Sequence, residues 1–348
     1  MIELYQDHAD AMVRVRAIYR PTVEEDLTEM KIGTGFFISR EGLVLSHAIT
    51  VRESFRIWVE HRGVDYGADL LGFDARSNVA LLRLNTLPPD FGFFQLGDQL
   101  EMPPIGTTVV RLSMPLEFAA TPELGLITGR EARVGGHLFP CFHLRTSIPS
   151  GPGDGGAAFL DLNGRLVAVQ VASLTEMNAT YGLPARAALR LRDDLLFSGE
   201  VTYGWLGFEI RPEATIASGP YLVLSEVMPE SPAAEAGLRP GDVLRQINGA
   251  LARDLDELRD AMFYTRVGQR ATITISRDGE RREFSVRLAE RPVNEPLLIV
   301  EEPDALAPAD PPLQEPNGTP VPPDPTTLGL PPDLEADPPM PDEPTPVR

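Results

Sequence analysis

Between residues 10 and 198 the apolar positions fall in short runs. They occur at 12–18, 35–38, 43–45, 56–60, 79–84, 107–112, 142–146 and 166–171, separated by glycine, proline and aspartate. Runs of about four to eight residues between turn formers predict strands, and this many of them predict an all-β sandwich or a pair of barrels. Residues 187–197 are amphipathic and predict a helix packed on that β domain. From 205 to 288 the texture changes. Strand-like runs at 222–227, 243–247, 271–277 and 282–288 surround one helical pattern over about 254–265, in which Leu255, Leu258 and Met262 recur at helical spacing. This predicts a small α+β domain.

The last segment breaks both patterns. Residues 292–348 hold 18 of the chain's 34 prolines and 12 acidic residues, with Arg348 as their single basic residue. Proline removes backbone donors and unpaired acids repel, so little apolar burial offsets the entropy of ordering. The expected organisation is a β domain over 1–198, an α+β domain over 199–291 and a disordered, partly polyproline-like tail over 292–348. A length of 348 residues suits two cores. The net charge of −20 argues against nucleic acid, which needs a basic face, and against docking on an anionic membrane. One cysteine, Cys141, excludes an intrachain disulfide. No stretch reaches the roughly 18 apolar residues of a membrane span, and the first residues lack the apolar core of a signal peptide. The expected compartment is the cytoplasm.

Candidate chemistry lies in three segments. The first is Gly33-Thr34-Gly35-Phe36-Phe37-Ile38, followed by Glu41-Gly42-Leu43-Val44-Leu45-Ser46-His47-Ala48-Ile49-Thr50-Val51. The second is Ser77-Asn78-Val79-Ala80-Leu81-Leu82, and the third is Gly151-Pro152-Gly153-Asp154-Gly155-Gly156-Ala157-Ala158. In this order and without gaps they resemble the trypsin-like serine proteases of the HtrA/Deg family. The resemblance implies a mainly β chain: a chymotrypsin/trypsin-like double β-barrel. It also implies where a triad would stand, and there this chain departs from the pattern. The histidine position is Ile49, the aspartate position Asn78 and the nucleophile position Gly155. An acyl-transfer enzyme needs a nucleophile, a base in reach and a group that orients the base. Losing nucleophile or base alone costs on the order of 10⁶ in rate in a comparable enzyme. The expectation is a degenerate, non-enzymatic member, a pseudoprotease. Backbone N–H groups at Gly153 and Gly155 need no side chain and constitute a residual oxyanion loop. The alternative is a serine endopeptidase of protein quality control, with residual activity from relocated residues such as His47, Ser147 or Ser150. His47 stands two residues early, and both serines lie upstream of the elbow.

His137, Cys141 and His143 share one parity, which on a continuous strand puts them on one face. Pro140 interrupts the run and no fourth ligand is evident, so no metal and no cofactor are expected.

The second half carries Ser231-Pro232-Ala233-Ala234-Glu235-Ala236-Gly237-Leu238-Arg239-Pro240-Gly241-Asp242 and Asn248-Gly249. Ser231 and Pro232 cap and start a short helix, Gly237 ends it, and Asn248-Gly249 makes a tight hairpin turn. This run resembles the PDZ domains of HtrA-type proteases. The resemblance implies binding of peptides or protein C-termini by strand addition. It implies a carboxylate loop at Trp205, Leu206, Gly207 and Phe208, a pairing strand through Phe208, Glu209 and Ile210, and groove-lining side chains at Leu258 and Met262, less so Leu255. An active HtrA relative is a further expected partner, and oligomeric state is left open.

Overall fold

The computed structural model describes residues 2–20, 29–97, 101–134, 136–215 and 219–290. The chain divides into one unit over Met1–Glu301 and a second over Glu302–Arg348. The tail expected over 292–348 lies outside the described residues.

Six strands close the first barrel in the order β1-β2-β3-β6-β5-β4. They are β1 (Met12–Ile18), β2 (Met30–Phe37), β3 (Leu43–His47), β4 (Arg56–His61), β5 (Val64–Asp74) and β6 (Val79–Leu84). Six more close the second in the order β10-β11-β12-β9-β8-β7. These are β7 (Thr108–Ser113), β8 (Thr121–Val134), β9 (His137–Thr146), β10 (Ala158–Leu160), β11 (Leu166–Leu174) and β12 (Ala179–Pro184). The apolar runs are continuous rather than alternating because both faces of these strands are covered. Val44, Ala80 and Leu82 fill the first barrel, while Leu45, Val79 and Leu81 point out to a seam. There they meet Val110, Leu112, Leu160 and Val169 of the second barrel. Val109, Ile127, Leu144 and Phe159 fill that second barrel. Helix α1 (Ile2–His8) precedes the barrels, the one-turn α2 (Ala48–Val51) follows β3, and α3 (Ala185–Ser198) lays Ala187, Ala188, Leu191 and Leu195 on the seam. The seam is therefore rigid where the three candidate segments converge.

The second domain is one sheet in the order β14-β15-β16-β18-β19, with β17 (Ala250–Leu251) paired to β16. Its strands are β14 (Phe208–Thr215), β15 (Gly219–Val227), β16 (Val243–Ile247), β18 (Arg270–Arg277) and β19 (Glu280–Arg287). Beside it, β13 (Gly204–Trp205) pairs with β20 (Ala289–Glu290). Ser231 caps α4 (Pro232–Ala236) by accepting from the Ala234 N–H, and Gly237 ends it in the left-handed region at φ 87°. Asn248 and Gly249 take φ of 51° and 80°, a turn of the kind that matches strand twist. Helix α5 (Leu255–Phe263) is capped by Asp254, whose carboxylate accepts from the Asp256 and Glu257 N–H groups.

Helix α5 also holds the two domains together. Asp260 Oδ1 accepts from the Phe142 N–H of β9 at 2.9 Å, and its Oδ2 pairs with Arg186 of α3 at 3.0 Å. The Arg186 guanidinium lies 4.0 Å from the Tyr264 ring centroid, and Phe263 enters the seam core. Burial raises the Asp260 carboxyl above its ordinary pKa, against the Phe142 N–H and the Arg186 charge, which lower it.

Candidate functional site

The seam brings Ile49, Asn78 and Gly155 into one neighbourhood, linked through His47. Ile49 is the second residue of α2, just after β3, and is 46% exposed. Its N–H donates to Asn78 Oδ1 at 3.1 Å. Asn78 closes the β5–β6 turn at φ 59°, a left-handed conformation that asparagine tolerates better than most residues. The bond to Ile49 fixes the amide's orientation and turns Nδ2 toward the seam. Nδ2 lies 2.7 Å from His47 Nε2 and donates to the Val171 carbonyl at 3.0 Å. Which of its two neighbours Nε2 bonds follows the ring's tautomer. The Val171 oxygen stands 2.9 Å from the same Nε2. Burial lowers the His47 pKa, partly opposed by that carbonyl, so the ring is neutral near pH 7.

The loop through Gly153 and Gly155 is held from three sides. Thr34 Oγ1 donates to the Gly153 carbonyl at 2.8 Å and accepts from the Met114 N–H at 2.9 Å. The Thr34 N–H donates to the Gly155 carbonyl at 2.9 Å. Beneath the loop, Asp154 Oδ2 accepts from the Gly151 N–H at 2.7 Å and pairs with Arg111 at 3.0 Å. Arg111, 2% exposed, also donates to the Pro149 carbonyl at 2.8 Å and to Gln170 Oε1 at 3.0 Å, and contacts Glu123 closely. Burial lowers the guanidinium's pKa while Asp154 raises it. Among the described residues neither the Gly153 nor the Gly155 N–H donates to another group. Chemically the loop can donate to a peptide carbonyl, but Gly155 brings no side-chain oxygen to attack one.

The relocated candidates lie elsewhere in the hydrogen-bond network. Ser150 Oγ accepts from Gln170 Nε2 at 2.7 Å, and Ser147 Oγ from the Leu126 N–H at 3.0 Å. Among the described residues no hydrogen bond joins either serine to His47. The His137, Cys141 and His143 trio is likewise not gathered. The Phe139 ring stacks on His143 at 3.9 Å and meets His137 edge-on at 5.6 Å. His143 Nδ1 is turned to the Cys141 carbonyl at 2.9 Å. Burial pushes the Cys141 thiol up, which suits a packing residue and not a thiolate.

Sequence reasoning missed Thr34, Val171 and Arg111. Only Arg111 left a readable signal: an arginine inside an apolar strand run must find a buried partner.

In the second domain β14 ends the sheet, so one edge of Phe208, Glu209 and Ile210 faces away from β15. Gly207 precedes them at φ 78°, and a Cβ there would meet the Ser231 Cβ at 2.2 Å. Trp205 and Leu206 lead in, and the Leu206 carbonyl is already taken by the Ala233 N–H at 2.9 Å. Leu258 differs from its expected place at the groove. At 1% exposure it belongs to the core with Ile210 and Ile273, while Leu255, Met262 and Phe208 are half-buried at that core's border. The helical stripe needed one residue facing inward to anchor α5, and Leu258 is that residue.

Residues 33–169 match the family model for a trypsin-like peptidase domain and residues 204–288 that for a PDZ domain. Among curated relatives, a protein of Chlamydia trachomatis serovar D named "Probable periplasmic serine endoprotease DegP-like" is 29% identical over 284 residues, covering 78% of this chain and 56% of that one. A Marinomonas protein of the same name is 26% identical, covering 78% of this chain and 59% of that one. The chain thus spans little more than half the length of the curated relatives it matches. Among solved structures, the HtrA-type protease AlgW with tripeptide superposes with a TM-score of 0.66 at 23% identity, covering 84% of this chain and 97% of that one. The serine endoprotease from Yersinia pestis superposes with a TM-score of 0.58 at 21% identity, covering 84% and 98%. The relatives' periplasmic names correct the cytoplasmic expectation and point to an extracytoplasmic location.

Proposed function

We propose that this chain, built as an HtrA-type trypsin-like domain followed by a PDZ domain, binds peptides or protein C-termini at the PDZ edge and does not hydrolyse them. The observation that carries the first half is that β14 ends its sheet beside Gly207. The second half rests on Gly155, which has no side chain where the elbow would present its nucleophile. A ligand strand pairs with Phe208 to Ile210, its terminal carboxylate meets the loop at Gly207, and its last side chain packs toward Met262 and Phe208. The barrels serve as scaffold, to which α5 is tied by Asp260.

The test is a titration of the full chain with fluorescent peptides that end in a free apolar C-terminal residue, beside the same peptides amidated. Saturable binding of the free acids, weakened at least tenfold by amidation and by Gly207→Ala, supports the proposal. Equal binding of acid and amide removes the carboxylate loop from it.

A second reading is a serine endopeptidase using relocated residues, and the names of the relatives favour it. The two readings part in the hydrolysis of casein. The first predicts none above background, the second a rate that Ser150→Ala or His47→Ala abolishes.

A further inference from the structure

We infer that the His47 imidazole occupies the volume that a side chain at position 155 requires, and that Gly155 and Asn78 are the partners this ring demands. The inference rests on the non-catalytic reading above and deepens it. A Cβ built on Gly155 would lie 2.6 Å from His47 Nδ1, 3.0 Å from Cγ and 3.1 Å from Cε1. Real Cβ atoms do not approach so closely, so a residue larger than glycine there must displace the ring. Gly155 is not among the glycines with positive φ. Its own backbone therefore accepts alanine or serine, and the three nearest atoms to such a side chain all belong to the imidazole.

The ring has little freedom to yield. His47 ends β3, paired with Val79 of β6, and its Nε2 is held at Asn78 Nδ2 and beside the Val171 carbonyl. The elbow is pressed against the same strand. A Cβ on Gly156 would stand 2.1 Å from the Thr34 oxygen and 3.0 Å from the His47 nitrogen. Asparagine at 78 follows from the same geometry. Its Nδ2 donates to the Val171 oxygen and stands 2.7 Å from His47 Nε2. An aspartate would turn a carboxylate oxygen toward the Val171 carbonyl oxygen, itself an acceptor, and lose the bond that Asn78 Nδ2 makes there. The three atoms His47 Nε2, Asn78 Nδ2 and Val171 O thus tie the first barrel to the second where an active enzyme would keep its reacting groups. Residues that look like separate losses are mutually required, with His47 at their centre.

The test is a double-mutant cycle on the full chain, read as the midpoint of thermal unfolding. Gly155→Ala in the native background is expected to lower the midpoint by several degrees. In a His47→Ala background the same change is expected to cost less than about one degree, because the obstructing ring is gone. His47→Asn serves as a second background should His47→Ala not fold. Equal cost of Gly155→Ala in both backgrounds overturns the inference. A chemical arm reads the same volume. Ile49→His, Asn78→Asp and Gly155→Ser together, with His47 left in place, are expected to give no fluorophosphonate labelling at position 155. Labelling there overturns the inference. Labelling of the unmodified chain instead sinks the non-catalytic reading and leaves the stability cycle to judge His47 by itself.

Discussion

The barrel seam and the PDZ edge are the two places where the proposed function turns on local geometry, and they are finished in opposite ways. At the seam, Thr34 clamps the carbonyls of Gly153 and Gly155, Arg111 neutralises Asp154 from below, and the His47 ring sits against the elbow. At the PDZ edge, β14 ends its sheet and Gly207 keeps its loop free of a side chain. The seam ties its side chains to one another and to its own carbonyls, while β14 has a strand neighbour on one side. A shared fold therefore does not fix what either site does; that depends on what fills each.

The largest expected difference between the two regions is in acid. All five histidines lie in residues 1–198. Burial lowers the His143 pKa from 6.5 to about 3, with the Cys141 carbonyl opposing. The fold thus accepts only the neutral ring, so its contribution is fully present above pH 6.5 and is lost as the pH falls toward 3. Over that window the unfolding equilibrium rises by up to about tenfold per pH unit from this group. The chain has two tryptophans, Trp58 in the first barrel and Trp205 in the PDZ domain. Urea unfolding of the Trp205→Phe and Trp58→Phe variants at a series of pH values reports each domain. The barrels are expected to weaken first, and His143→Phe to flatten their slope. Equal acid sensitivity of both domains breaks the contrast.

Next in size is the ion pair under the elbow. Arg111→Met leaves Asp154 buried at 4% exposure without its cation, a loss of about 3–5 kcal/mol. Unfolding followed at Trp58 should show it, with the Trp205 signal little moved. A smaller effect is expected at the opposite site. Asp254→Ala removes the cap of α5 and costs about 1 kcal/mol, seen at Trp205 and as weaker peptide binding.

Much of this was legible in the sequence. The runs around Val44, Leu82 and Val110 announced strands because both their faces are buried, and Ser231, Gly237 and Asn248 announced their turns through local backbone chemistry. The positions Ile49, Asn78 and Gly155 follow from laying the three segments over the HtrA/Deg pattern they resemble. What did not show is how a side chain turns once there. The sequence offers His47 only as a relocated candidate two residues early, because nothing in a linear sequence places Val171, 124 residues away, beside its ring. Leu258 read as a groove residue because helical spacing gives a stripe but not which member faces inward. The compartment was misread because the folded domains do not encode it.

The most direct test of the central claim is fluorophosphonate labelling of the purified full chain, read by intact mass and by mapping any modified residue. The non-catalytic reading predicts an unmodified mass after prolonged exposure, with peptide binding intact in the same sample. A stoichiometric adduct on one serine, whether Ser147, Ser150 or another, contradicts it and assigns the chain a working nucleophile.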